Sequence, residues 1–200
     1  MKNLGTMDRL LRIIVAEVCI LVAFFWVTEE WQIPLYLIAA VMLFQAATAT
    51  CGIYRLLGWN SCEVVKRRDK NLMKAFVVAA LLLAVAGSYG SAAITRNIFL
   101  TDAESVNASY SMTIQALSEG NRENALMQYG KLKGTFGNFS NKYSEYRPLT
   151  VKFEGNFTIE MNNVSAAISG SGEDIHQGNL LGGRERLMIA GPDIRRILNR

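Results

Sequence analysis

The sequence predicts an all-α protein: three transmembrane helices, an N-terminal hairpin plus one, followed by an exported antiparallel four-helix bundle. Three observations carry that reading. Residues 75–94 hold no charge, and about twenty apolar residues rising about 1.5 Å each cross the roughly 30 Å hydrocarbon core of a bilayer. The stretch just before, KRRDKNLMK, gathers Lys66, Arg67, Arg68, Lys70 and Lys74, whereas only Arg96 follows closely. Basic flanks stay on the cytoplasmic side, so these five residues set the topology and the chain after residue 100 is exported. Beyond that point continuous apolar runs give way to stripes at helical spacing. The domains are therefore expected at 1–72 (hairpin with a basic cytoplasmic loop), 73–100 (third span) and 101–200 (bundle).

Taken in order, residues 10–27 form an apolar run interrupted by Arg12 and Glu17, long enough for a first span with Arg12 snorkelling to the interface. No small-residue cleavage site follows and a second span comes at once, so the run reads as a retained anchor. After the acidic turn TEEWQ, residues 33–50 form the second span, opened by Pro34 near the first helical position. Trp26, Trp31 and Tyr36 mark the outer interface, Tyr54 and Trp59 the inner one. Lys2, Arg9 and Arg12 keep the N-terminus cytoplasmic. Glu17 is the one acid within a span, and an unpaired charge in lipid is expensive. It reads as a near-interface carboxylate, neutral or paired with Arg9, Arg12 or a neighbouring chain, with Arg12 and Glu17 as a candidate intramembrane pair.

In the exported part, Thr101 and Glu104 have capping-box spacing, and Val106, Tyr110, Thr113 or Ile114, and Leu117 form a stripe ending at Gly120. Ala125, Tyr129, Leu132, Phe136, Phe139 and Tyr143 step by fours and threes, a heptad seam. Pro148 punctuates. Phe153, Phe157, Met161, Val164, Ile168 and Ile175 form a third stripe, weakened by Gly170 and Gly172. Gly178 and Asn179 supply a stop and a new cap, and Leu187, Ala190, Ile194 and Ile197 or Leu198 form the last stripe. Gly191-Pro192 predicts a kink or break there. Gly120-Asn121 and Gly178-Asn179 relate two helical hairpins at a 58-residue offset, by duplication or by convergence on one turn signal.

Little chemistry is legible. The net charge of +4 is explained by topology, so no nucleic-acid partner is expected. Cys51 and Cys62 flank the inner end of the second span at a spacing that is neither CxxC nor a zinc site, though nearby arginines and lysines make them candidate reactive thiols; the alternative is two small residues at a helix end. The exported part has no cysteine and so no disulfide framework. His176, the only histidine, reads as a solvated helix-end residue. Without CxxCH or a facing His/Met pair, no haem is expected; Met112, Met127, Met161 and Met188 read as core filling. No GxxxxGK[ST], HExxH or GxSxG occurs, so no catalytic residue, cofactor or metal site is assigned and the chain is not expected to be an enzyme.

NLGTMDRLLRII at the start, with Gly5, Asp8, Arg9 and Arg12, and CGIYRLLGWNSC after the second span, resemble the small bacterial inner-membrane proteins with the YgaP-like transmembrane hairpin. Gly52 stands where that family usually has proline, and Ala16 where it has glycine. Members are often fused to, or encoded near, rhodanese sulfurtransferases, which gives Cys51 and Cys62 their interest; no rhodanese cysteine loop occurs here. The back half is similar in pattern to periplasmic bundles of the cytochrome b562 type without their haem ligands. The hairpin resemblance implies a protein of the bacterial inner membrane, and the charge bias makes it multi-pass with a periplasmic C-terminal domain. The expected function is a non-catalytic accessory subunit of a larger membrane complex, respiratory or photosynthetic, with thiol or persulfide handling as the alternative and ligand sensing third. Small residues in the spans, Ala39, Ala40, Ala46, Ala47, Gly87 and Ser88, suit close helix contact.

Overall fold

The computed structural model describes residues 3–59, 61 and 70–200, the side chains of Lys70 and Leu72 excepted. Cys62, Lys66, Arg67 and Arg68 lie outside the described residues. All assigned elements are α-helices: α1 (Thr6–Phe25), α2 (Glu29–Thr48), α3 (Gly52–Leu56), α4 (Lys70–Ser118), α5 (Arg122–Glu145), α6 (Leu149–Lys152), α7 (Phe157–Gln177), α8 (Leu180–Met188) and α9 (Gly191–Leu198). The chain divides into two compact units, Met1–Ala93 and Ile94–Arg200, a division earlier than the residue-100 boundary read from the sequence.

In the first unit α1 and α2 pack as a hairpin. Ala16 and Ala23 on α1, and Ala39 and Ala46 on α2, are buried; small side chains one heptad apart let two backbones approach closely. Ala40 and Ala47 are exposed. On α4, a Cβ at Gly87 would meet Leu21, so that glycine is also a close-approach position. Elsewhere the apolar surface is open: Leu37, Ile38, Val41 and Phe44 on α2, and Val77, Val78, Leu81, Leu82 and Val85 on α4, are all exposed. Glu29–Thr48 and Met73–Ser118 are each long and apolar enough to cross a membrane, and bare Leu and Val on this scale are stable in lipid, not in water. α1, with Asp8, Arg9, Arg12 and Glu17, is not among those helices.

Two helix starts differ from expectation. α2 begins at Glu29 with Thr28 as N-cap, so Pro34 lies inside the helix and removes the hydrogen bond that the Glu30 carbonyl would accept. No helix starts at residue 101. α4 runs on to Ser118, and the Thr101 hydroxyl donates to the Asn97 carbonyl at 2.9 Å, bonding back along the helix instead of capping a new one.

The second unit is built from residues of α4 beyond Ala93 and from α5 to α9 around one core. The expected α5 seam is its buried face in full. Phe99 of α4 sits among Tyr143, Phe139 and Phe157, with ring centroids 5.0, 5.6 and 6.0 Å away, distances at which aromatic pairs add to area burial. Gly120 and Gly178 have φ of +72° and +86°, the left-handed cap that glycine adopts without strain. The following Asn121 and Asn179 each accept a backbone N–H three residues on, from Asn124 and Gly182, both at 3.1 Å, so both turn signals act as read. At Gly191-Pro192 the helix breaks into α8 and α9. Gly172 is a contact point, since a Cβ there would overlap the Tyr129 hydroxyl.

Two side-chain expectations fail. Phe153 is 77% exposed: it caps α6, whose fixed turn is out of phase with the α7 stripe. Of the four methionines read as core, only Met161 is buried, while Met112, Met127 and Met188 are exposed, because Met112 and Met188 sit one position and Met127 two positions off the buried residues of their helices. His176 is exposed at the end of α7, edge-on to Tyr129 at 6.2 Å.

Candidate functional site

The polar residues of the first unit converge where α2 ends. Ala49 takes a left-handed conformation, φ 56° and ψ 32°, turning the chain back so that Cys51 can start α3. The N-terminal residues lie along this turn. The backbone N–H groups of Asn3 and Leu4 donate to the Ala49 carbonyl at 3.1 and 3.2 Å. The Asn3 side chain grips Cys51 from both sides: its Oδ1 accepts the Cys51 N–H at 2.8 Å and its Nδ2 donates to the Cys51 carbonyl at 2.9 Å. One amide thus pairs with both main-chain groups of Cys51, whose carbonyl also accepts the Arg55 N–H at 3.1 Å as the first bond of α3. Leu4, Ala49 and Cys51 are buried together against Tyr54.

Ser61 closes the other side. Its N–H donates to the Asn3 carbonyl at 3.1 Å, and its hydroxyl accepts from Gly5 N–H at 2.8 Å and lies 3.2 Å from Asp8 Oδ2. A Cβ on Gly5 would overlap the Ser61 carbonyl, which is why glycine stands in the opening motif. From α1, Arg9 Nε caps the Ala46 carbonyl near the end of α2 at 2.6 Å, a favourable place for a cation. Arg12 is the hub. Its Nε meets Asp8 Oδ1 at 3.2 Å, its Nη1 donates to Gln45 Oε1, its Nη2 lies 3.7 Å from Cys51 Sγ, and its guanidinium sits 5.4 Å from the centre of the Tyr54 ring. The planar fork holds Asp8, Gln45, Met42 and Cys51 from fixed directions while it lies over the Tyr54 ring, a geometry the compact ammonium of a lysine lacks.

This arrangement fastens the start of the chain and the α2–α3 turn to α1. Cys51 is a free thiol, 2% exposed, beside a cation that Asp8 and Gln45 also engage. Of the expected site residues, Cys51 and Arg12 are brought together, whereas Arg12 and Glu17 are not a pair. Arg12 turns to Asp8 one helical turn before it; Glu17, five residues on, points to a different face of α1, and its Oε1 has no hydrogen-bond partner among the described residues. Lys70 is the first residue of α4 and Lys74 is exposed on it. Asn3, Asp8, Gln45 and Ser61 were missed as site residues. Only the Asp8–Arg12 spacing of four carries a local signal; the other contacts join residues distant in sequence.

In the second unit Tyr143 is buried and donates to Asp102 Oδ2 at 2.7 Å, and Lys142 meets the same oxygen at 2.7 Å. Burial first, then that bond and the charge of Asp102, hold the Tyr143 phenol protonated well above its ordinary range. Glu160, 3% exposed, is held by Arg200, and Arg200 also reaches Glu154 at 2.8 Å. Among the described residues no group of three or more His, Cys, Asp or Glu side chains could hold a metal ion. A cavity of 10 Å³ lined by Ala103, Val106, Phe136, Phe139, Ile194 and Ile197 lies in the core. An open groove of 480 Å³ runs between α7 and the α8–α9 arm, past Asn163, Gly170, Arg186 and Ile189.

No curated protein and no solved structure gives a significant match to this chain. The clasp joins the two segments that resemble one hairpin family, and residues 1–65 match the model of that family, the inner membrane protein YgaP-like transmembrane domain, so the chain is a membrane protein that carries a YgaP-like transmembrane domain.

Proposed function

We propose that this chain is a non-catalytic accessory subunit of the bacterial inner membrane, docking onto and stabilising a larger membrane complex, respiratory or photosynthetic, through its spans and a periplasmic four-helix bundle. In this reading α1 is a third span, the N-terminus and the basic residues 66–74 are cytoplasmic, and Ile94–Arg200 is exported. The observation that carries it is the use of the clasp: Asn3, Asp8, Arg9, Arg12 and Ser61 are engaged with one another, with main chain or with the neighbouring side chains of Gln45, Cys51 and Tyr54, and Cys51 is shut from solvent. The polar groups hold the domain together and the exposed apolar faces of α2 and α4 are what remains for contact with lipid or another membrane protein.

The test is a tagged chain at native expression, extracted in mild detergent and sized on a native gel, with co-migrating bands identified by mass spectrometry. Stoichiometric co-migration with a large complex is expected; migration alone as a monomer or dimer refutes the reading. One observation favours a second function, thiol or persulfide handling. Cys51 Sγ, Arg12, Asp8 and Ser61 form a continuous chain of contacts, and Ser61 is the sequence neighbour of Cys62. Under the accessory reading, Cys51→Ser and Cys62→Ser leave assembly and growth on sulfur sources unchanged and a persulfide probe labels neither cysteine; labelling that depends on both would favour the thiol function instead.

A further inference from the structure

The second unit has two ends, and they differ. At one, α4 turns to α5 and α7 to α8 through the Gly120 and Gly178 caps, and Arg122 Nη2 reaches the His176 carbonyl at 2.7 Å. At the other, the α5–α7 connection and the end of α9 gather around Arg96 and Phe99. Arg96 donates through Nε and Nη2 to the Arg200 carbonyl oxygen at 3.1 and 3.0 Å, Phe99 packs on Tyr143 and Phe157, and Arg200 pairs with Glu154. This second end lies directly after the uncharged run of α4, residues 75–94.

Here the chain exposes Phe153, at 77%, in the turn between α6 and α7. Its position is imposed: Val151, two residues before, is wholly buried, and Phe157, four after, is wholly buried, so the turn is pinned on both sides while Phe153 points away from the core. Lys152 precedes it directly and Arg147 lies six residues before, and Ile159 is exposed in the first turn of α7. The acid beside it, Glu154, is engaged by Arg200. An isolated exposed apolar residue is ordinary. An aromatic next to basic residues, at the end of a domain where its chain leaves an apolar run, is the composition found at the headgroup layer of a bilayer.

We propose that the α6–α7 turn is a membrane-surface foot, with Phe153 seated among the headgroups of the leaflet that α4 leaves near Ile94. This rests on residues 75–94 lying in the bilayer. The occupant of the surface is phospholipid, so the foot forms without any partner protein.

The experiment places one added tryptophan at a time, Phe153→Trp, Leu181→Trp or Val85→Trp, in the full chain reconstituted into nanodiscs of phosphatidylethanolamine and phosphatidylglycerol with or without brominated chains. Trp26, Trp31 and Trp59 are common to all, so subtracting the spectrum of the unsubstituted chain isolates the added residue. The expected result is strong loss of emission at 85, a blue-shifted and partly quenched emission at 153, and no quenching at 181, which is exposed at the opposite end. Emission at 153 indistinguishable from that at 181 overturns the foot. Equal quenching at both overturns it too, since the whole domain would then lie on the lipid. No quenching at 85 refutes the span itself, separately from the foot.

Discussion

Asn3→Ala is the sharpest test of the clasp. The substitution removes the acceptor at 2.8 Å from Cys51 N–H and the donor at 2.9 Å from the Cys51 carbonyl, in a residue that is 2% exposed. A buried main-chain group left unpaired costs about 1–3 kcal/mol. The Cys51 carbonyl keeps a second bond, from Arg55 N–H at 3.1 Å, and Asn3 itself is only half-buried, so water reaches part of the vacated site. The low end applies, about 2 kcal/mol for the two groups together. Because Cys51 is shielded by this turn, local opening governs its reactivity, and a loss of that size raises its labelling rate roughly 30-fold. The assay is maleimide labelling of the full chain in detergent, read by mass spectrometry of the Cys51 peptide so that Cys19 and Cys62 do not interfere. Gln32→Ala, at the other end of the hairpin, is the control and leaves the rate unchanged. A rate for Asn3→Ala within about threefold of the native chain, under about 0.7 kcal/mol, would show that the amide bridge does not hold the turn.

Tyr143 gives a pH prediction. Its folded pKa is raised above the ordinary value of 10, so its contribution is fully present below that value and is lost as pH rises above it, where the unfolded chain releases a proton that the folded chain retains. Tyr143→Phe lessens the alkaline fall in stability measured by denaturant unfolding. Tyr129, also raised by burial, keeps a residual slope of the same sign. Gly172→Ala drives a methyl into the Tyr129 ring end and lowers stability by about 1–3 kcal/mol; Tyr129→Phe in the same chain recovers part of that loss, a coupling that a double-mutant cycle measures. Glu160→Gln, which leaves the buried Arg200 side chain short of its buried partner, costs about 3 kcal/mol. Glu154→Gln, at the same arginine but 43% exposed, costs under about 1 kcal/mol; equal effects would mean that burial does not set the strength of these pairs.

Local periodicity made much of this architecture legible. The α5 seam, the two glycine-asparagine turns and the break at Gly191-Pro192 follow from interactions within a few residues, and they occur where the spacing placed them. The apolar, exposed surfaces of α2 and α4 were likewise readable as runs, because lipid imposes no periodicity on a helix it surrounds. Phase errors appeared where a short element intervened or a stripe had tolerance. α6 rotates Phe153 out of the α7 stripe, and Met112, Met127 and Met188 fall one or two positions off their stripes, which a spacing argument for apolar residues does not resolve. Thr101 looked like a cap because its own sequence permits one, but a threonine hydroxyl serves equally to bond back to Asn97 within a continuing helix. The clasp was the least legible part. Its two segments could each be recognised, yet nothing local says that the Asn3 amide closes on Cys51 or that Ser61 lies against Asp8, and Glu17 attracted attention as a partner for Arg12 that Asp8 already supplies. The sequence by itself determined most of the helices, the two glycine-asparagine turns and two helices, α2 and α4, apolar enough to cross a membrane, since these depend on near neighbours and on composition. Tertiary structure alone decided which polar residues meet and that Cys51 is buried, because contacts across tens of residues depend on how the helices pack.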